Sequence, residues 1–191
     1  MTATRTVVLA GATSDAGLAT ATALIAAGAR VIATGRAADR LTPLRDAGAQ
    51  TEIADATSFV EMTALAARLG TVDAVIPLVG GWRGGGGLAG QSDEDFDALL
   101  PALQAVRATS RAFDAPLRAS DAGRFAIVSS TVVTRPLAGG ANYAAMKAAS
   151  EAWTRAVAQG YAKAARDAGA DRCRRADVTG VLRPRTLSSA R

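Results

Sequence analysis

Residues 6–19 read TVVLAGATSDAGLA, and this stretch decides the fold. TVVLA (6–10) is a short apolar run that ends at Gly11, the pattern of a buried strand. Residues 17–27, GLATATALIAA, are Ala-rich and stop at Gly28, the pattern of a helix and its terminator. Gly11 and Gly17 therefore flank a tight strand-to-helix turn that contains Thr13 and Ser14. A turn of this kind aims backbone amides and a helix N-terminus at one point, where a pyrophosphate would be held. An ordinary βα turn with no ligand is the alternative at this stage.

Outward from the turn, strands and helices alternate. RVIAT (30–34) predicts a second strand ending at Gly35, followed by a helix over 37–47 with an early turn or kink at Pro43. QTEIA (50–54) predicts a third strand, and 58–69 an amphipathic helix capped by Ser58 and stopped by Gly70. DAVIPLV (73–79) predicts a fourth strand, and four consecutive glycines at 84–87 suggest a mobile loop after it. A long helix is expected over 94–118, interrupted or bent near Pro101, then a fifth strand RFAIVSS (124–130) and a helix from Tyr143 to about 168. Short apolar strands separated by helices call for a parallel sheet covered on both faces, doubly wound by right-handed crossovers. The expectation is thus a Rossmann-type α/β domain over 1–170, with a ligand crevice at the strand C-terminal ends.

Composition narrows the chemistry. Apolar residues make up 49% and charged residues 20%, which is ordinary for a globular chain and too apolar for disorder. No apolar stretch is long enough for a membrane helix, and the N-terminal apolar run leads into a turn, so the cytoplasm is the default location. There is no His, which excludes a Ser-His-Asp triad, and Cys173 is the sole cysteine. Acid–base chemistry must come from Tyr, Lys, Asp or Glu. The net charge is +5, but residues 171–191, with six Arg and two Asp, hold +4 of it. The body of the chain carries no basic footprint for nucleic acid, and no nucleic-acid or membrane partner is expected.

Two sets of residues carry chemistry. At the end of the second strand Gly35 stands where an NAD-specific protein presents an acidic group to the ribose 2′-hydroxyl. Arg36 follows it and could pair with a 2′-phosphate, although a solvated loop Arg is the plain alternative. Asp55 could accept from an adenine amino group or serve as a helix N-cap. The segment YAAMK puts Tyr143 and Lys147 four apart, on one face of a helix. The chain has twenty Arg and only two Lys, yet keeps a Lys here. An ammonium beside a phenol lowers the phenol's pKa toward the range of a working acid. Tyr161 and Lys163 lack such a partner and read as helix-surface residues. Ser129 and Ser130 end the fifth strand, and Ser130 precedes Tyr143 by thirteen residues.

Over about residues 5–160 the sequence resembles the short-chain dehydrogenase/reductases. The family's Ser-x12-Tyr-x3-Lys arrangement matches Ser130, Tyr143 and Lys147, its glycine motif lines up with AGATSDAG (Gly11, Thr13, Ser14, Gly17), and its adenine-binding Asp with Asp55. The resemblance implies NAD(P)-dependent interconversion of a small-molecule alcohol and carbonyl by a homo-oligomer. Tyr143 would exchange the proton, Ser130 orient the oxygen, and Lys147 grip the nicotinamide ribose. With Arg36, NADP is the expected cofactor and NAD the second choice. The alternative is a non-catalytic NAD(P)-binding or redox-sensing protein on the same fold.

The sequence departs from the family pattern at four places. Asp15 replaces the middle glycine of the first motif, where a carboxylate opposes a pyrophosphate unless it turns away to cap the helix. The family's NNAG is here PLVG, which retains only Gly80 as a cofactor-binding position. The helical Asn of the family falls at Leu103, beside Gln104. After residue 170 the periodicity collapses into an Arg-rich tail, 171–191, in which VTGVL (178–182) and Pro184 faintly match the family's sixth strand. The expectation is a C-terminally truncated or altered member whose sheet lacks its last strand or strands.

Overall fold

Thr6–Ala10 forms β1, the centre of a five-stranded parallel sheet in the computed structural model, which describes residues 4–167. On one side β1 pairs with β2 (Arg30–Gly35), which pairs with β3 (Gln50–Ile53). On the other it pairs with β4 (Ala74–Pro77), which pairs with β5 (Arg124–Phe125). The sheet order β3-β2-β1-β4-β5 reverses direction at β1, so the crevice for a ligand opens between the C-terminal ends of β1 and β4. The expected doubly wound α/β fold is the observed one. The Arg-rich tail at 171–191 lies outside the described residues.

Period-two alternation along β1 splits the core. Val7 and Leu9 face a cluster with Val31, Ala33, Leu41 and Leu44, under α1 (Asp15–Ala26) and α2 (Thr42–Asp46). Val8 and Ala10 face the opposite cluster, which includes Met62 and Leu65 of α3 (Phe59–Leu69) and Val106 of α4 (Asp93–Ala112). Leu117 of α5 (Asp114–Ala119) and Tyr161 of α6 (Ala141–Asp167) complete that side. Tyr161 is thus a core residue, not a surface one as its neighbours in sequence suggested. Arg118 lies over its ring, and burial pushes its hydroxyl pKa well up. Lys163 is exposed as expected.

Three elements differ from the sequence expectation, each because of a proline. Pro43 lies at the start of α2, so residues 37–47 form a 3₁₀ turn (Asp39–Leu41) followed by a five-residue helix. The long helix passes through Pro101 without interruption, since the carbonyl that Pro101 cannot bond belongs to exposed Asp97. It breaks at Phe113 instead, where Pro116 has no N–H to offer the Ala112 carbonyl. The fifth strand pairs over two residues, not seven. In the register Val75↔Phe125 the next donor from β4 is Pro77, which has no N–H, and the ladder ends there.

Below the sheet, at the strand N-terminal ends, Asp73 fastens three segments. Its carboxylate accepts from the Thr6 amide (2.7 Å), the Ser120 hydroxyl (2.6 Å) and the Arg5 guanidinium (3.2 Å). Burial alone would raise its pKa, but these donors outweigh burial and hold the carboxyl below its usual range. A depressed carboxyl pKa stabilises the fold above the unfolded value and loses that contribution as pH falls through the folded one. Asp73→Asn should therefore cost about 1–3 kcal/mol at pH 7 in urea denaturation. The gap to the unmodified protein should narrow below about pH 4.

Candidate functional site

Construction of the site starts at the β1–α1 turn. Gly11 adopts φ 75°, and a Cβ there would strike the Val79 side chain. Gly17 sits in the first turn of α1, where a Cβ would collide with the Ala12 carbonyl. Glycine at 17 lets the helix N-terminus close directly onto the end of β1. Ser14 is the N-cap, and its hydroxyl accepts from the Gly17 amide at 3.2 Å. Asp15 is not the cap. It is exposed in the first turn, where the helix dipole favours a carboxylate.

Above this turn lies a hollow of about 340 Å³ lined by Gly11, Thr13, Ser14, Gly35, Arg36, Arg40, Asp55 and Gly80, among others. It brings together seven of the residues singled out in the sequence. Gly17 stays buried behind the turn and supports it. Asp55 does not cap α3, because Ser58 does, accepting from the Glu61 amide. Its Oδ1 accepts from the Thr57 amide and hydroxyl at 2.9 and 2.8 Å, which leaves Oδ2 outside those bonds. Arg40 was not singled out from sequence. Its Nη2 donates to the Thr13 carbonyl at 3.3 Å, across 27 residues.

A second hollow, about 230 Å³, adjoins the first and shares Ser14, Leu78, Val79, Gly80 and Ala102 with it. Tyr143, Lys147 and Val128 line it as well. Lys147 Nζ donates to the Val128 carbonyl at 2.7 Å and lies 5.6 Å from the Tyr143 ring centroid. Burial pushes the Lys147 pKa down from its ordinary value. Ser130 is half-buried past the end of β5, just before a 3₁₀ turn (Thr131–Val133), where its hydroxyl accepts from the Val132 amide at 3.4 Å. It does not line this second hollow. Ser129 is committed elsewhere, donating to Glu151 at 2.5 Å. Leu103 is half-buried on α4, and Gln104 lines a groove against Thr57 and Phe59, away from Tyr143 and Lys147.

The loop with four glycines is fastened, contrary to its composition. Gly85 N donates to the Gly139 carbonyl at 2.7 Å. Gln91 Nε2 donates to the carbonyls of Gly85, Gly87 and Gly139, and Gln91 Oε1 accepts from the Asn142 amide. One carboxamide thus ties the β4–α4 loop to the start of α6, next to Tyr143. The sequence carried no sign of this, because the partners lie 48 and 51 residues away.

Comparison with known proteins agrees with this fold. The sequence model described as short chain dehydrogenase matches residues 5–165, and the chain belongs to that family, whose members are oxidoreductases. No curated protein matches it in sequence. Among solved structures it is similar to a short-chain dehydrogenase from Streptomyces avermitilis, at 26% identity and a TM-score of 0.74, covering 84% of this chain and 62% of that one. It is also similar to a single-site variant of the actinorhodin polyketide ketoreductase with NADPH, at 26% identity and a TM-score of 0.71, covering 84% and 66%. Serine dehydrogenase from Escherichia coli, 24% identical with a TM-score of 0.74 and covering 81% and 76%, shares the fold. No helix among the described residues is long and apolar enough to cross a membrane.

Removing the Gln91 carboxamide should release both segments it ties. In Gln91→Ala, amide hydrogen exchange should speed up at least tenfold over residues 84–92 and 138–142, with β1 and α1 unchanged. Unaltered exchange in those two segments would show that the glycine loop is held by other contacts.

Proposed function

We propose that the chain is an NADP(H)-preferring oxidoreductase that interconverts a small-molecule alcohol and a carbonyl. The observation that carries this is the second hollow, where Tyr143 and the partly buried Lys147 share a wall beside the phosphate-type turn. The residues fit a nicotinamide dinucleotide along the joined hollows. The α1 N-terminus and Ser14 would meet the pyrophosphate, Asp55 Oδ2 the adenine amino group, and Arg36 a 2′-phosphate. Gly80 and the backbone around it would allow the chain of the cofactor to pass between the two hollows. When bound, that group supplies or accepts the hydride.

The rest of the chemistry falls to this chain's own side chains. Tyr143 gives a proton to the carbonyl oxygen, or takes one from the alcohol. Lys147 holds the nicotinamide ribose, on the helix face it shares with Tyr143. Its bond to the Val128 carbonyl fixes the ammonium until ribose hydroxyls are available. Ser130 orients the substrate oxygen by donating to it, which requires its hydroxyl to leave the Val132 amide. Substrate, activity and cofactor preference all belong to this proposal.

Leu103 supports a second reading. A leucine cannot hold the water that an Asn at that helix position holds in the family, so a protein that binds cofactor without turning it over is the competing function. Two variants separate the readings. Tyr143→Phe should abolish reduction of carbonyls while leaving NADPH affinity within about twofold, and Lys147→Ala should damage both. Absence of turnover in the unmodified protein, with NADPH still bound, would select the non-catalytic reading.

Cofactor choice has its own test. Arg36→Ala should weaken NADPH by about 1–3 kcal/mol and NADH hardly at all, the scale of one charge-assisted hydrogen bond. Equal weakening of both cofactors would remove Arg36 from the phosphate.

A further inference from the structure

The fifth strand leaves the sheet before it reaches Ser129 and Ser130. Its last bond to β4 runs from the Ala126 amide to the Val75 carbonyl, and residues 127–129 make no further backbone bond to β4. Ser130 therefore stands at the end of a stretch that β4 does not fix. Yet its hydroxyl has to meet that of Tyr143 at one substrate oxygen, and Tyr143 belongs to α6.

The stretch is held from α6 instead. Lys147 Nζ donates to the Val128 carbonyl. One helical turn further on, Glu151 Oε1 accepts from the Ser129 hydroxyl at 2.5 Å. Tyr143, Lys147 and Glu151 recur every fourth residue, so the three lie in one row along the helix.

The surroundings of Glu151 suit this grip. Its side chain is 15% exposed, and an ionised carboxylate so far out of water needs hydrogen-bond partners. Oε2 takes the Arg155 guanidinium at 3.1 Å, from the next turn, and Oε1 takes Ser129. Ser129 is buried, two residues along the extended chain from Ile127 of the core and on the same side. Apolar contact alone would tolerate sliding of the segment, whereas a hydrogen bond holds one geometry. In the proposed chemistry Lys147 turns to the nicotinamide ribose and gives up Val128. The Ser129–Glu151 bond is then the side-chain hydrogen bond that still ties the segment to α6.

We propose that Glu151 is a positioning residue, which sets Ser130 against Tyr143 by gripping Ser129. This rests on the reading of Ser130 and Tyr143 as the pair that meets the substrate oxygen. The competing role is structural, in which Glu151 stabilises α6 through Arg155 and has no part in placing Ser130.

Kinetics and hydrogen exchange on the full chain separate the two. With NADPH and a panel of aliphatic and aromatic aldehydes and ketones, Glu151→Ala should lower kcat at least tenfold, the scale of a lost hydrogen bond to a charged group. NADPH affinity, read by nicotinamide fluorescence, should stay within twofold. Ser129→Ala removes the same bond from the other side and should match it. Glu151→Gln keeps an oxygen acceptor at the same reach and should recover kcat to within threefold. In a Ser130→Ala background, Glu151→Ala should cost less than twofold, since the residue it positions is already gone. Without substrate or cofactor, residues 132–134, whose amides bond to Ser130 and Thr131, should exchange at least fivefold faster in Glu151→Ala but not in Glu151→Gln.

If Glu151→Ala lowers the urea midpoint but leaves kcat within twofold, Glu151 serves stability alone and the proposal falls. If the tenfold loss recurs in the Ser130→Ala background, or Glu151→Gln recovers nothing, Glu151 acts by another route. The proposal then also falls, with the oxidoreductase reading intact. If the unmodified protein binds NADPH but reduces none of the carbonyls, or does not bind it, the reading beneath the proposal fails with it.

Discussion

Everything at the site depends on how closely α1 approaches the end of β1. The approach is set by one missing atom, the Cβ of residue 17, whose space is filled by the Ala12 carbonyl. With a side chain there, the helix would have to withdraw or the turn would have to open. Either change would carry the N-terminal amides of α1 away from the strand ends. Gly11, at φ 75° against Val79, makes the same demand from the other side of the turn. The hollow above the turn exists because these two positions let backbone stand where side chains would otherwise be.

From that turn the site extends through a chain of close packing. Thr13 meets Gly35, Gly35 meets Leu41, and the two arginines next to these contacts line one opening. On the other side, Val79 and Gly80 separate the first hollow from the one that holds Tyr143 and Lys147. Lys147 is held by the Val128 carbonyl, beyond the end of β5, in a partly buried place that disfavours its charge. Gln91 plays the complementary structural part, joining the glycine loop to the entry of α6 through backbone carbonyls.

Local features were legible in the sequence. The turn at 11–17, the Ser58 cap and the Tyr143–Lys147 pair are set by residues within a few positions of one another, and periodicity exposes them. Features set by a distant partner were not legible. The two-residue β5 depends on Pro77 of the neighbouring strand, and the break in the long helix on Pro116 rather than the more obvious Pro101. Tyr161 read as surface because its polarity and its sequence neighbours hide that Leu117 and Phe125 pack in the same cluster. Arg40 and Gln91 act through carbonyls of residues 27 to 48 positions away, and a backbone acceptor leaves no trace in side-chain pattern.

The central claim is that the joined hollows form one cleft for a phosphorylated nicotinamide dinucleotide. Titration of the unmodified chain with NADPH and with NADH, followed by nicotinamide fluorescence, tests it most directly. The account predicts saturable binding of both, with NADPH at least tenfold tighter and the difference shrinking as salt screens Arg36. Equal affinities, or no saturable signal from either, would contradict it.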